Sequence, residues 1–462
     1  MIQKNSEINI TTPNIYLEDL LERKDAVENI SNMIASTNEA FVMSLNANWG
    51  AGKTTFIKLL KANLSLSHNV ESIYFSAWED DFSKEPLISI LGELNKFIEE
   101  KYKTPNEITT KFNKTKDLGV KILKRGLPAL IKGSTAGLLD IDKGYESAIS
   151  AMTEQATAEL IDNYSKDKLI TESFKESMKD LFSKINSDKP FVFFIDELDR
   201  CRPLYAIELL ERIKHIFGID NLIFILSIDK IQLSESIKSQ YGNIDTNNYL
   251  KRFIDLEYNL QNPNIDKFCD KLFNKFNLIH TLEKKNIKIQ HNDYHYIVFL
   301  KFLVNTFKLS LRQVEQIFIH LDIIFKTIQK SLYESHFRVM VFFVTLKSYD
   351  STLYFNIING SQEINDIKEI KFNERNKHFK IILQTISLAI SKNDTEYEKL
   401  LKDERHKLTT IPTTNTTQIQ SQNRLIELLD YGNGHWGDYR LNKLIDTVIE
   451  QNEFIKRFEI NT

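Results

Sequence analysis

The chain has 462 residues, 42% of them hydrophobic and 27% charged, and 60 basic against 63 acidic side chains leave a formal charge of −3. That content excludes a disordered, collagen-like or fibrous protein, and at ~150 residues per domain the length accommodates more than one packed core. Near-neutral charge also excludes a whole-molecule grip on nucleic acid, leaving that role to local basic patches.

The predicted elements follow in chain order. Leu17, Leu20, Leu21, Val27, Ile30 and Ile34 recur at near-helical spacing, so an amphipathic helix is expected over residues 15–37. A short apolar strand over 41–45 leads through a glycine-containing loop into a helix over 54–64. A second strand over 71–75 and a helix over 88–102 come next. Residues 116–160 are small, apolar and basic with low strand propensity, and they place a helical insertion at about 105–185.

Residues 191–195 form a continuous apolar run, the pattern of a strand buried on both faces of a parallel sheet. A helix over 205–217, a strand over 222–228 and a helix over 231–240 continue the alternation. Strand and helix alternating from about residue 41 to 260 predict a doubly wound α/β domain, assigned to residues 1–262. Beyond it the patterns are helical, at 266–277, 294–307, 311–328, 337–346 and 369–391, giving an α-helical C-terminal half. The apolar run 339–346 is short enough to be a buried core element. A helical lid or C-terminal domain is therefore expected over 263–408, and a mobile Thr/Asn/Gln-rich loop containing Pro412 over 409–422. Closing helices over 424–429 and 439–458 complete residues 423–462, with a turn at His435-Trp436 between them.

Cys201 and Cys269 are too few for a disulfide framework and too distant for a zinc motif. Two buried thiols in a reducing cytoplasm are expected. The first residues lack the order of a secretory signal, and no run approaches the ~20 apolar residues of a membrane span.

Chemistry concentrates after the first strand, at Asn46-Ala47-Asn48-Trp49-Gly50-Ala51-Gly52-Lys53-Thr54-Thr55. Strand, glycine loop and helix in this order make a phosphate-binding loop. Asn48 to Thr55 would cradle phosphate oxygens with backbone N–H groups, Lys53 would meet the β- and γ-phosphates, and Thr54 would offer its hydroxyl to Mg²⁺. The run 191–195 delivers Asp196 and Glu197 at a strand's C-terminal end, where ligands of open α/β sheets bind. Asp196 is the expected magnesium carboxylate, and Glu197 is placed to orient and deprotonate an attacking water. Asp199 and Arg200 follow, as an ion pair steadying the site or as groups reaching across a subunit interface.

These motifs resemble the KAP family of P-loop NTPases. The resemblance rests on Trp49 to Thr54, on Tyr74-Phe75-Ser76-Ala77-Trp78, on Phe193 to Pro203, on Phe224 to Asp229 and on Tyr249 to Leu256, in that order. It covers roughly residues 15–320. It implies an AAA+/STAND-like P-loop sheet, ATP and Mg²⁺ as ligands, and ATP hydrolysis that drives a switch or motor. Bacterial members are often associated with anti-phage defence beside partner proteins, and homo-oligomers are a further implication. Two departures stand out: Ala47 occupies the usual first glycine position, and Glu197 replaces a more common aspartate.

Arg312 in Leu309 to Ile317 resembles the start of a lid helix whose arginine senses the γ-phosphate, and Arg252 and Arg200 are further candidates for transition-state charge. Arg23 precedes the first strand where related chains touch the base, although a solvated helix face is the simpler expectation. The strand over 222–228 ends in Asp229-Lys230 rather than a guanine-reading element, so ATP is preferred to GTP. Tyr74 to Trp78 reads as strand-end packing. In the insertion, Lys121, Lys124, Arg125 and Lys132 interleave with Leu123, Leu127, Leu130 and Ile131. Helices packed on the body, peripheral membrane contact and a nucleic-acid patch all remain open there. A scaffold that holds ATP without turnover and a kinase with a separate acceptor are the competing classes.

Overall fold

The computed structural model describes residues 14–125, 154–281, 295–327, 334–373, 378–390, 394–411 and Ile419, apart from Glu18, Lys84, Ser187 and Ile279. Most of the predicted loop 409–422, the helices expected at 424–429 and 439–458, His435, Trp436 and the basic stretch beyond Arg125 lie outside the described residues. Two compact units are present, one of Ile8–Asn262 and one beginning at Pro263.

The apolar runs become the centre of a five-stranded parallel sheet. The strands are β1 (Phe41–Asn46), β2 (Ser72–Ser76), β3 (Phe191–Asp196), β4 (Leu222–Ile228) and β5 (Leu256–Asn259), in spatial order β2-β3-β4-β1-β5. Every residue of β3 and β4 is buried, as expected of strands covered on both faces. Period-two alternation sorts their side chains cleanly. Phe191, Phe193, Ile195, Phe224 and Leu226 enter one core, while Val192, Phe194, Ile223 and Ile225 enter the other.

Helices α1 (Lys24–Ala35) and α2 (Lys53–His68) cover the second of these cores through Val27, Ile30, Ile34, Phe56, Ile57 and Leu60. The first is covered by α4 (Pro86–Lys101), α5 (Glu107–Arg125), α6 (Glu154–Ile185) and α7 (Pro203–Ile216). This is the doubly wound arrangement. Within the region read as an insertion, α5 and α6 pack on the body, with Phe112, Phe174, Met178 and Phe182 in the core. Short α3 (Ala77–Asp80) follows β2, and α8 (Lys230–Tyr241) and α9 (Thr246–Leu250) lead to β5.

The first predicted helix begins late. Turns at residues 15–17 and 20–21 precede α1, and the Asp19 carboxylate accepts from the backbone N–H of Leu21, Arg23 and Lys24 at 3.2, 2.6 and 3.2 Å. Glu22 has a left-handed backbone, with φ 55°, and Leu17 is exposed.

Beyond Pro263 the unit is helical: α10 (Ile265–Lys275), α11 (His295–Thr306), α12 (Leu311–Thr327), α13 (Glu334–Tyr349), α14 (Ser351–Ile358), α15 (His378–Ile390) and α16 (Asp394–Thr410). Phe299, Phe318, Phe325 and Phe342 are fully buried in it, and the run Val339 to Leu346 is core. Of the helix expected over 369–391, residues 369–373 are not helical and the described helix is His378–Ile390; a 3₁₀ turn at Ile364–Asp366, closed by reciprocal Glu363 and Asp366 bonds, lies before it. No described helix is long and apolar enough to cross a membrane. Both cysteines are buried and neither forms a disulfide, and burial pushes the Cys269 thiol up to about 12 and Cys201 higher still.

Candidate functional site

Strand register gathers the chemistry at one edge. Ser76 pairs with Asp196, Asp196 with Ser227, and Asn46 with Ile228 and Asn259, so all five strands end side by side. The loop from Asn46 to Lys53 leaves that edge and becomes the start of α2.

Gly50 and Gly52 hold left-handed backbone angles of 78° and 86°, which glycine adopts without strain. Ala47 lies outside that region, and its N–H extends the ladder to the Ile228 carbonyl at 3.2 Å. A methyl at the usual first glycine position therefore costs no backbone strain. Gly52 caps α2 without a side-chain bond, which leaves the helix's first N–H groups directed outward with the positive end of its dipole.

Lys53 is buried and donates to the Ala47 carbonyl at 2.7 Å and the Asn48 carbonyl at 3.4 Å. Burial pulls its ammonium down, while the carboxylates of Asp199, Asp229 and Asp196 oppose that shift. The Thr54 hydroxyl donates to Asp196 Oδ2 at 2.7 Å, and the Tyr74 hydroxyl donates to the same oxygen at 3.2 Å. Burial and the neighbouring Asp196 drive the Tyr74 phenol well above its ordinary value, so it stays a donor. Asp196 Oδ1 accepts the Glu197 N–H at 2.9 Å.

Glu197 sits in a left-handed conformation, φ 61°, at the tip of β3. Its carboxylate accepts the Ser76 hydroxyl at 2.9 Å and pairs with Arg200 at 2.8 Å. Arg200 therefore pairs with Glu197, and Asp199 instead accepts the indole N–H of Trp49. Asp199 Oδ1 is buried without a protein partner, beside the lysine whose charge it supports. Asp229 caps α8 through the N–H groups of Ile231 and Gln232, and its other oxygen accepts the Trp49 N–H at 3.2 Å.

Lys53, Thr54, Asp196 and Glu197 are thus assembled around the phosphate loop, with Asn48, Trp49, Gly50, Ala51, Gly52 and Thr55 in the loop and first helical turn. Arg252 is exposed after α9, where its charge bears on the Tyr249 hydroxyl, and Arg312 is exposed in the first turn of α12 on the helical unit. Arg23 corrects the expectation of a solvated face. It is 5% exposed and donates to the Gln261 carbonyl at 2.8 Å and to the Ala51 carbonyl of the phosphate loop at 3.3 Å. Asp199, read beside Arg200 as a site group, enters through Trp49 and Lys53, and Tyr74, Ser76 and Asp229 also enter the site, although their sequence surroundings read as packing or turns. Their shared signal is position at the end of a buried strand.

A family model described as the KAP family P-loop domain matches residues 23–326. The chain belongs to the KAP family. No match was found among curated proteins. Among solved structures, the KAP chain is similar to the Aeropyrum pernix ORC2 protein in its ADPNP–ADP complexes, at 12% identity and a TM-score of 0.36 over 99% of this chain and 98% of that one. It is similar to the A. pernix ORC1 protein in complex with DNA at 12% identity and a TM-score of 0.34, over 96% of each chain. C. elegans PCH-2 is similar at 11% identity and a TM-score of 0.30, over 75% of this chain and 71% of that one.

The donor set suits Mg²⁺. A hydroxyl and a carboxylate are hard oxygen ligands of the kind Mg²⁺ takes in ones and twos, with phosphate and water completing its shell. Among the described residues no cluster of three or more His, Cys, Asp or Glu is placed to hold a metal by itself.

Proposed function

We propose that this KAP protein binds ATP with Mg²⁺ and hydrolyses it as a nucleotide-driven switch or motor. The observation that carries the reading is the 2.7 Å contact of Thr54 with Asp196, beside Lys53 on the loop carbonyls and Glu197 at the strand tip. Bound Mg²⁺ supplies charge neutralisation at the phosphate oxygens, and Thr54 and Asp196 are the residues that would hold it. Backbone N–H groups of the loop and the start of α2 receive the phosphates, and Lys53 directs its charge to the β and γ positions. Glu197 takes a proton from the attacking water as the bond from the γ-phosphorus to the bridging oxygen breaks and ADP leaves. Arg200 is the guanidinium beside Glu197, while Arg252 and Arg312 are candidates for transition-state charge. The large helical unit gives nucleotide state something to move. Family resemblance extends the proposal to anti-phage defence beside partner proteins, and to self-assembly.

The competing reading is a scaffold that holds ATP without turnover, and the engagement of both Glu197 oxygens by Ser76 and Arg200 favours it. Phosphate release from MgATP by the purified chain, with and without DNA or RNA, separates the two. Glu197→Gln is expected to cut release by ~10²-fold or more while keeping ATP affinity, the scale of losing a positioned base. Lys53→Ala should weaken MgATP binding more than tenfold, and unchanged affinity would show that the loop is not the site. Tight binding with no release by the unmodified chain would favour the scaffold or a requirement for a partner protein.

A further inference from the structure

Trp49 and Trp78 are 49% and 51% exposed, and neither is core packing. Between them lies Arg200, whose guanidinium carbon is 5.8 Å from the Trp49 ring centroid and 5.9 Å from that of Trp78. Indole faces are the strongest aromatic partners for a guanidinium, so the two rings form a clamp. Each part of the clamp belongs to a different element: Trp49 to the phosphate loop, Trp78 to the first turn of α3, and Arg200 to the 3₁₀ turn after β3.

Trp49 makes two further contacts with the strand ends. Its indole N–H goes to Asp199, the residue before Arg200, and its backbone N–H goes to Asp229. The ring cannot move without disturbing the turn that carries Arg200. Arg200 in turn holds Glu197 Oε1 at 2.8 Å while Ser76 holds Oε2 at 2.9 Å. A water reaching Glu197 must therefore share an oxygen that Ser76 or Arg200 already holds in place.

We propose that Arg200 is a positioning residue that restrains Glu197, and that the Trp49–Arg200–Trp78 clamp makes this restraint depend on the phosphate loop. The proposal rests on Glu197 being the hydrolytic base. Phosphate oxygens received by the loop's N–H groups compete with Asp229 for the Trp49 N–H. Displacement of Trp49 then loosens the clamp, and Arg200 releases one oxygen of Glu197 toward the site. Hydrolysis thereby waits for a correctly seated phosphate.

The test uses the full chain with Arg200→Ala, Arg200→Lys and Trp78→Ala. Restrained and released states of Glu197 remain in exchange with nucleotide bound, so Arg200→Ala and Trp78→Ala are expected to raise phosphate release at saturating MgATP several-fold with KM unchanged, and Arg200→Lys to restore part of the restraint. Unchanged or slower release from both alanine variants would overturn the proposal. Arg200→Ala combined with Glu197→Gln keeps the underlying reading separate: fast release surviving in the pair would mean that Glu197 is not the base. A second readout is spectroscopic, because the chain has only 3 tryptophans. With Trp78 and Trp436 replaced by Phe, the emission of Trp49 should shift on MgATP addition, and the shift should shrink in Arg200→Ala. Emission indifferent to MgATP, in a chain that binds it, would sink the coupling.

Discussion

Arg23 carries a guanidinium into a buried place where two carbonyls from distant segments need donors. One belongs to Ala51 in the phosphate loop and the other to Gln261, two residues before the second unit begins. An Arg–Met exchange keeps the apolar stem and removes both donors. We expect Arg23→Met to cost ~2–3 kcal/mol, since each lost bond to a charged group is worth roughly 1.5–3 kcal/mol and the losses overlap. Denaturant unfolding of the variant checks this, and an unmoved midpoint would show that the two contacts contribute nothing. Nothing local marks Arg23 as buried, because its neighbours Leu20, Leu21, Glu22 and Lys24 read as an ordinary amphipathic stretch.

At the scale of elements, α5 shows why a pattern identifies a helix but not how closely it packs. Gly119 sits inside α5, where glycine costs about 1 kcal/mol relative to alanine. A Cβ there would stand 2.6 Å from Leu91 Cδ1 on α4 and 3.5 Å from Phe174 Cε2 on α6. Gly119→Ala should therefore lower stability by about 1–2 kcal/mol despite its better helix propensity, as overpacking usually does. Leu91→Ala in the same chain should recover part of that loss, and a thermal double-mutant cycle measures it. Simple additivity would mean that the two helices are not in tight contact. The sheet edge was less legible than its centre: β5 is four residues long, mostly exposed, and pairs only with β1. Short half-exposed strands lack the continuous apolar run that marked β3 and β4.

Across the whole chain, a buried carboxyl and a half-buried imidazole make its units respond oppositely to pH. Burial pushes the Glu211 carboxyl of α7 from 4.5 up to about 7, and burial with the Lys347 charge pulls His320 of α12 from 6.5 down to about 4. Folded Glu211 binds its proton more tightly than unfolded Glu211, so the α/β unit loses stability as pH rises from about 4.5 to 7. Folded His320 resists protonation, so the helical unit loses stability as pH falls from about 6.5 to 4. Glu211→Gln should flatten the first dependence and His320→Gln the second, read by hydrogen exchange in each unit at pH 5 and 7. Identical pH slopes in wild type and variants would refute the assignment.

The phosphate loop, the Asp196-Glu197 pair and the α/β alternation were readable because each is local: a spacing of glycines, a run of apolar residues, a carboxylate placed directly after it. Their meeting at one edge was also foreseeable, since parallel strands present their C-terminal ends together. The wiring among them was not. Ser76 reaches Glu197 across 121 residues of chain, Trp49 reaches Asp199 across 150, and Arg23 reaches Ala51 across 28. Such pairs carry no periodicity, and strand register and helix packing alone bring them within a hydrogen bond. Local physics thus specifies what kind of site this chain builds, and three-dimensional packing specifies which side chains hold its carboxylate, its loop and its lysine.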